Sequence, residues 1–118
     1  MQGLELIKAT MMLQETKRVP WVPFVGVHGG YLLGVDAKSY LNSSRLMVDG
    51  IIKAVELYKP DGIPVLFDLQ LEAEILGCKL KWATGTPPAV VSHPLAEGKT
   101  VKDLLLPQPQ DGRIPLLL

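Results

Sequence analysis

An acidic residue at the end of a predicted strand is the clearest candidate for chemistry in this sequence. A turn at Asp61-Gly62 leads into the apolar residues 63–67, Asp68 follows, and residues 69–77 predict a helix that ends at a glycine. In parallel α/β folds, catalytic groups cluster just past the carboxyl ends of strands, where loops vary on a fixed sheet. Asp68 is therefore the predicted catalytic residue. An N-cap for the following helix is an alternative role, and the two are compatible.

A glycine-rich segment follows another predicted strand. Residues 19–25 are rich in β-branched and aromatic side chains, and Gly26-Val-His-Gly-Gly30 comes directly after them. Glycines in this position let a backbone approach a ligand, but the lysine and hydroxyl of a phosphate-binding loop are absent and the GxGxxG spacing is not matched. A turn that needs unusual backbone angles is the simpler interpretation.

Composition narrows the class of protein. The 118 residues suit one domain, and twelve basic side chains balance twelve acidic ones, so nothing favours a nucleic-acid partner. A single cysteine, Cys78, forms no internal disulfide, and His28 and His93 lack metal-ligand spacing. We interpret Cys78 as a small core residue and His93 as a loop residue, with no metal site. The N-terminus lacks signal-peptide features and no apolar run approaches about 18 residues, so we expect a cytoplasmic protein without a membrane partner.

The remaining pattern predicts alternating helices and strands. Helices are predicted at residues 4–13, after an Asp36 cap, and after a cap at Asn42 or Ser43, the last ending at Lys59-Pro60. A strand, helix and strand within some forty residues predict a right-handed βαβ unit with parallel strands. Residues 78–82 alternate in polarity and predict a hairpin with residues 89–91, followed by a short helix at 101–105.

Several segments together carry a family resemblance. They are Arg18-Val-Pro-Trp21, Gly29-Gly-Tyr-Leu32, Phe67-Asp68, Glu72-Ala-Glu74 with Leu76-Gly77, and Pro87-Pro88. Through these segments the sequence resembles the N-terminal part of the uroporphyrinogen decarboxylase superfamily, which includes decarboxylases and methylcobalamin:coenzyme M methyltransferases. The resemblance implies the N-terminal βα units of a TIM (β/α)8 barrel with a β-hairpin excursion. The barrel is incomplete, because about 250 residues are needed, so residues 1–118 are expected to be one N-terminal fragment.

The resemblance also implies a branch and a set of site residues. Decarboxylases of the family hold substrate carboxylates with two arginines, whose positions align with Gly26 and Gly30. Each lost charge-assisted contact is worth about 1.5–3 kcal/mol, so the sequence looks more like the methyltransferase branch. Gly26, His28, Gly30 and Tyr31 are then the expected substrate-binding residues. Asp68 aligns with the aspartate that binds pyrrole N–H groups in the decarboxylases.

Three functions follow as expectations. The first is the N-terminal portion of a corrinoid-dependent methyltransferase, inactive alone. Zinc and a corrinoid would serve the complete enzyme, and no cofactor is expected on this fragment, since the branch places its zinc ligands in the second half of the barrel.

The second expected function is uroporphyrinogen decarboxylation in porphyrin biosynthesis, with a tetrapyrrole as the small-molecule ligand and another source of positive charge. The third is a non-catalytic, self-associating module, because an incomplete barrel exposes a strand edge and an apolar face. The uncapped apolar residues 113–118 add the expectation of a missing C-terminal half or a homo-oligomer.

Overall fold

The computed structural model describes residues 2–65 and 67–118. Five α-helices and one two-stranded sheet form in this part of the chain, with three short 3₁₀ helices towards the C-terminus. The α-helices are α1 (Gly3–Met11), α2 (His28–Leu33), α3 (Ala37–Leu41), α4 (Ser44–Tyr58) and α5 (Leu71–Ile75). The strands are β1 (Lys79–Lys81) and β2 (Ala89–Ser92), and the 3₁₀ helices are Pro94–Glu97, Val101–Asp103 and Ile114–Leu116.

Side-chain caps set the starts of the central helices, as predicted. Asp36 accepts a hydrogen bond from the backbone N–H of Ser39 at 2.9 Å, which satisfies a free amide in the first turn of α3. At the start of α4 the cap is Ser43 rather than Asn42, and its hydroxyl accepts from the N–H of Leu46. The prediction that α4 ends at the proline after Lys59 is confirmed.

The core is built where α2 and α4 cross over the ring of Tyr40. Tyr40 is 2% exposed, and it lies against Gly29 and Gly30 of α2 and Gly50 of α4. A Cβ atom on Gly50 would stand 2.6 Å from the tyrosine ring and 2.9 Å from the backbone of Gly29. The glycines therefore let the two helices approach each other closely around one aromatic ring. The buried apolar residues are Leu6, Ala9, Ala37, Tyr40, Leu41, Met47, Ala54 and Leu71.

The hairpin after α5 is confirmed, with slightly different bounds. Strand β1 pairs antiparallel with β2, and a register irregularity falls between Lys79 and Leu80. The N–H of Ala37 donates to the carbonyl of Thr84 in the hairpin loop at 2.7 Å. This bond joins the hairpin to the start of α3, so the hairpin lies beside the helical core.

The predicted parallel strands at 19–25 and 63–67 are wrong for the described residues. Both segments are extended and run side by side in the same direction, but neither is part of a sheet; residue 66 lies outside the described residues. Pro20, Pro23 and Pro64 have no N–H to donate, which removes ladder hydrogen bonds from both segments. In the turn before the second segment, the N–H of Asp61 donates to the carbonyl of Trp21 at 2.9 Å.

Side chains hold these two segments together instead. Arg18 donates to both carboxylate oxygens of Asp61, each at 2.6 Å, and the N–H of Trp21 donates to the same carboxylate at 2.8 Å. These bonds, the one from Arg18 first, lower the pKa of Asp61 to about 2. Further along, the rings of Phe24 and Phe67 stack with centroids 4.4 Å apart. The fork and the ring stack therefore fix the alignment that a ladder would otherwise provide.

The overall shape is extended for a chain of this length. The radius of gyration is 17.5 Å and the principal extents are 53 × 36 × 23 Å, whereas a compact domain of 118 residues has a radius of gyration of about 13.5 Å. Large apolar side chains such as Phe24, Val65 and Leu105 are exposed. In the part of the chain that the structure describes, no helix has the length and apolar character to cross a membrane. These proportions suit part of a larger α/β assembly.

Candidate functional site

The ends of the two extended segments enclose a cleft of about 290 Å³. Its side walls include the stacked rings of Phe24 and Phe67, and its polar groups come from His28, Asp68 and Gln70. A mostly apolar cleft with a few placed polar groups is the usual form of a small-molecule site, and this volume lies at the small end of that range. The residues that line it are Phe24, Val25, Gly26, Val27, His28, Leu41, Phe67, Asp68, Leu69, Gln70 and Pro87.

Asp68 is among the residues that line this cleft, but its side chain is only 2% exposed, so the exposed part of the residue is mainly backbone. Its Oδ1 accepts from the N–H of Gln70 at 2.9 Å, which closes a turn just before α5. Its Oδ2 accepts from Nη1 of Arg113 at 2.6 Å. The alternative prediction that Asp68 is the N-cap of this helix is wrong, because the N-cap of α5 is Gln70 and the Asp68 bond lies in the turn before it. The ion pair with Arg113 was not anticipated.

Arg113 joins three parts of the chain through one guanidinium group. Besides Asp68, its Nη1 donates to the carbonyl of Leu41 at 3.0 Å, and its Nε donates to Glu74 at 2.7 Å. The guanidinium carbon lies 5.1 Å from the ring centroid of Trp82, within cation–π range. Arg113 therefore connects α3, the residues around α5 and β1 behind the cleft.

Arg113, Asp68 and Glu74 together carry a net negative charge. Burial by itself would lower the pKa of Arg113, but the hydrogen bonds to Glu74 and Asp68 outweigh it and raise that pKa. Two carboxylates against one guanidinium leave one negative charge, and Nη2 of Arg113 is buried without a hydrogen-bond partner among the described residues. Removing one member of a buried pair typically costs about 3–5 kcal/mol. The ion pairs of Arg113 therefore stabilise the fold and leave a net negative charge beside the cleft.

His28 lies at the mouth of the cleft between two tyrosines. Its Nε2 is 2.8 Å from the hydroxyl of Tyr58, and its ring stacks on Tyr31 with centroids 5.7 Å apart. Tyr31 is 78% exposed and lines a neighbouring depression beside Asp36 and Thr84. The imidazole is thereby held in one orientation, with either partner of the Tyr58 contact able to donate.

The predicted site residues divide into two groups. Gly26, His28 and Asp68 line one cleft, and Tyr31 reaches it only through its stack on His28. Gly30 packs against Tyr40 in the core instead. The expected turn with unusual backbone angles is confirmed at Gly26, whose φ is +51°, whereas Gly29 and Gly30 of the same predicted turn lie in α2. Their roles in binding or catalysis remain predictions.

Arg113 is the residue that sequence reasoning missed. It follows Asp-Gly in a loop and precedes an apolar run, a context without a catalytic or binding motif. Its carboxylate partners are 39 and 45 residues away, so no local spacing connects them. Its position in the sequence gives one indication. Arg113 directly precedes the apolar residues 114–118, and if that run is buried, the guanidinium group beside it needs acidic partners.

The described residues do not fit a zinc site. Among them, no three His, Cys, Asp or Glu side chains come together to hold a metal ion. The Nδ1 of His93 accepts from the N–H of Ala96 at 3.2 Å, which caps the 3₁₀ helix Pro94–Glu97. Cys78 is half-buried just before β1. His93 therefore serves as a helix cap through Nδ1.

Comparison with known proteins identifies one family. The family model described as Uroporphyrinogen decarboxylase (URO-D) matches residues 3–118. Neither the curated proteins nor the solved structures contain a significant match to the chain. The family match extends over the cleft, the hairpin and the Arg113 region alike.

Proposed function

The chain belongs to the uroporphyrinogen decarboxylase family, and from that premise we propose that it forms the N-terminal portion of a corrinoid-dependent methyltransferase. In this proposal the cleft between Phe24 and Phe67 receives one edge of the corrinoid. The chain alone is expected to be inactive in methyl transfer, because the described residues provide no zinc site for a thiol acceptor. Support comes from the charge and shape of the cleft.

The observation that carries the proposal is that none of the described cleft-lining residues is an arginine or lysine. Binding of a ligand rich in carboxylates needs positively charged partners, and Arg113 is already engaged by Asp68 and Glu74. The net negative charge of Asp68, Glu74 and Arg113 would also repel the carboxylates of such a ligand. An uncharged ligand edge that carries N–H donors meets no such penalty.

The residues present fit the edge of a corrinoid. Its peripheral carboxamides are neutral, so the net negative charge of Asp68, Glu74 and Arg113 does not repel them, and Phe24 and Phe67 offer aromatic surface for its apolar parts. When bound, a corrinoid supplies the methyl group that is transferred. The contribution of this chain is to bind and orient that edge and to exclude water from it.

A binding comparison tests the proposal directly. The chain is titrated with hydroxocobalamin and, separately, with uroporphyrin at the same ionic strength, and the quenching of tryptophan fluorescence is measured. We expect cobalamin to bind at least about tenfold more tightly, since one mismatched charged contact is worth 1.4 kcal/mol or more. Phe24→Ala should weaken cobalamin binding, whereas Val91→Ala on the exposed hairpin should not.

The opposite ranking would favour the second candidate, uroporphyrinogen decarboxylation. Its supporting observation is that Asp68, which the resemblance aligns with the aspartate that binds pyrrole N–H groups in the decarboxylases, is among the residues that line the cleft. Tight uroporphyrin binding, or release of CO₂ from uroporphyrinogen without methyl transfer from methylcobalamin, would replace the methyltransferase proposal with this one.

A further inference from the structure

Helix α4 carries an exposed apolar stripe in addition to the buried residues that pack it against the core. Val48, Ile52 and Val55 are 54%, 50% and 39% exposed. Their spacing of four and then three residues is the spacing at which helices pair in coiled coils. We propose that this stripe is the contact between two copies of the chain, whose α4 helices pair antiparallel about a two-fold axis.

The stripe borders an apolar groove of about 270 Å³, of which Val48 and Ile52 form one wall. Among the described residues that line this groove, only Ser44 has a polar side chain, and its hydroxyl already donates to the carbonyl of Leu116 at 2.8 Å. On the other side of the groove, Val65 is 80% exposed. The described lining offers little hydrogen bonding to a polar ligand, so the surface that covers it is expected to be aliphatic.

The charges beside the stripe indicate which partner fits. Arg45 comes about one turn before Val48, and Glu56 directly follows Val55. An antiparallel second copy of α4 would place its Glu56 beside Arg45 and its Arg45 beside Glu56, whereas a parallel copy would place like charges together. The surface is therefore complementary to itself in the antiparallel arrangement.

The register follows from the spacing of the stripe. When Val48 of one copy packs against Ile52 of the second copy, the two-fold axis repeats the same pair on its other side. In this register the aliphatic stem of Arg45 covers Val55 of the second copy, and its guanidinium reaches the neighbouring Glu56. A contact of this kind closes on itself, so it produces a dimer rather than a larger assembly.

The proposed contact is independent of the cleft. No described residue lines both the apolar groove and the cleft between Phe24 and Phe67. The inference therefore does not rest on the proposed function, and it can be tested on the chain without any ligand.

Sedimentation velocity over a series of protein concentrations measures the contact. We expect the original chain to sediment as a dimer that dissociates on dilution. Ile52→Lys places a charge in the stripe of both copies and should raise the dissociation constant of the dimer at least about tenfold. Circular dichroism establishes that the variant is folded, and Val48→Lys replaces it if it is not.

Leu57→Lys is the matched control for this substitution. Leu57 lies on the same helix and is 58% exposed, close to the 50% of Ile52. Its direction differs from that of Ile52 by about 140° around the helix, which places it off the stripe. We expect its dissociation constant to stay within about twofold of the original value.

An exchange of charges tests the antiparallel arrangement. Arg45→Glu alone and Glu56→Arg alone would each place like charges opposite each other, and each should weaken the dimer by about three- to tenfold at low salt. The double variant restores opposite charges and should return to within about twofold of the original dissociation constant. Positions 45 and 56 lie about 16 Å apart along one helix, so this recovery cannot arise within a single copy.

The outcomes that overturn the inference are distinct. A monomer at all concentrations overturns it, and so do aggregates larger than a dimer. Association that is unchanged in Ile52→Lys would show that another surface joins the copies, and equal weakening by Leu57→Lys would show an effect not specific to the stripe. Failure of the double variant to recover would overturn the antiparallel pairing. A chain that binds no cobalamin but dimerises as described would contradict the proposed function and leave this inference standing.

Discussion

Replacing Gly50 with alanine should destabilise the chain, although alanine is the better helix former. The new Cβ would lie 2.6 Å from the ring of Tyr40 and 2.9 Å from both the carbonyl carbon and the carbonyl oxygen of Gly29. The tyrosine ring is buried and the other contacts are backbone, so α2 and α4 must move apart to make room. Overpacking of this kind costs about 1–3 kcal/mol. Alanine recovers about 1 kcal/mol of helix propensity, and contacts this close favour the upper part of the cost, which leaves a net loss of about 1–2 kcal/mol.

Urea unfolding followed by circular dichroism measures this loss as a lower transition midpoint at unchanged slope. Gly85→Ala is the matched control, because no atom lies within 4 Å of its added Cβ, and a change within about 0.5 kcal/mol is expected there. If Gly50→Ala were as stable as the original chain, the close approach of α2 and α4 around Tyr40 would be refuted. A loss of similar size in Gly85→Ala would show that the effect does not come from packing.

Three further predictions test other parts of the structure. Asp61 has a pKa of about 2 in the folded chain against an ordinary value of 3.8, so its contribution to stability is present above about pH 4 and is lost as the pH falls towards 2. The melting temperature of Asp61→Asn should therefore approach that of the original chain as the pH falls through this window, and a constant difference would contradict the ion pair. Leu6→Ala should cost about 2–5 kcal/mol in urea unfolding because Leu6 is 2% exposed, whereas Leu4→Ala at a 63% exposed position should stay within about 0.5 kcal/mol. The chain should self-associate, because its extended shape exposes apolar side chains; sedimentation velocity that gives a monomer at all concentrations would contradict this.

Local features of the fold were predictable from the sequence, since their causes lie within a few residues. The caps at Asp36 and Ser43 and the alternation that forms β1 each involve neighbours along the chain. The paired parallel strands were not, because pairing depends on distant backbone donors that the prolines at positions 20, 23 and 64 remove. Strand-like composition therefore predicted the extended conformation of these segments without their pairing.

In the candidate site, too, features with local causes were predictable and contacts between distant residues were not. Asp68 was predicted from its position at the end of an apolar segment, Gly26 and His28 were predicted from the family resemblance, and all three residues line one cleft. The choice between a catalytic and a structural part for Asp68 depends on Arg113, whose contacts reach across the sequence. A lone arginine in a loop has no periodic or motif signal, so only the three-dimensional structure shows what it binds.

The contacts of Arg113 bear on the order in which the chain assembles. They close loops of 39, 45 and 72 residues at a single side chain. Closure entropy rises only with the logarithm of loop length, so the longest of these loops costs about 0.5 kcal/mol more than the shortest. Helices and the hairpin involve contacts close in sequence and form on faster timescales than such closures. Arg113 is thus expected to dock late, as one event that joins α3, α5 and the hairpin and fixes the side chain of Asp68.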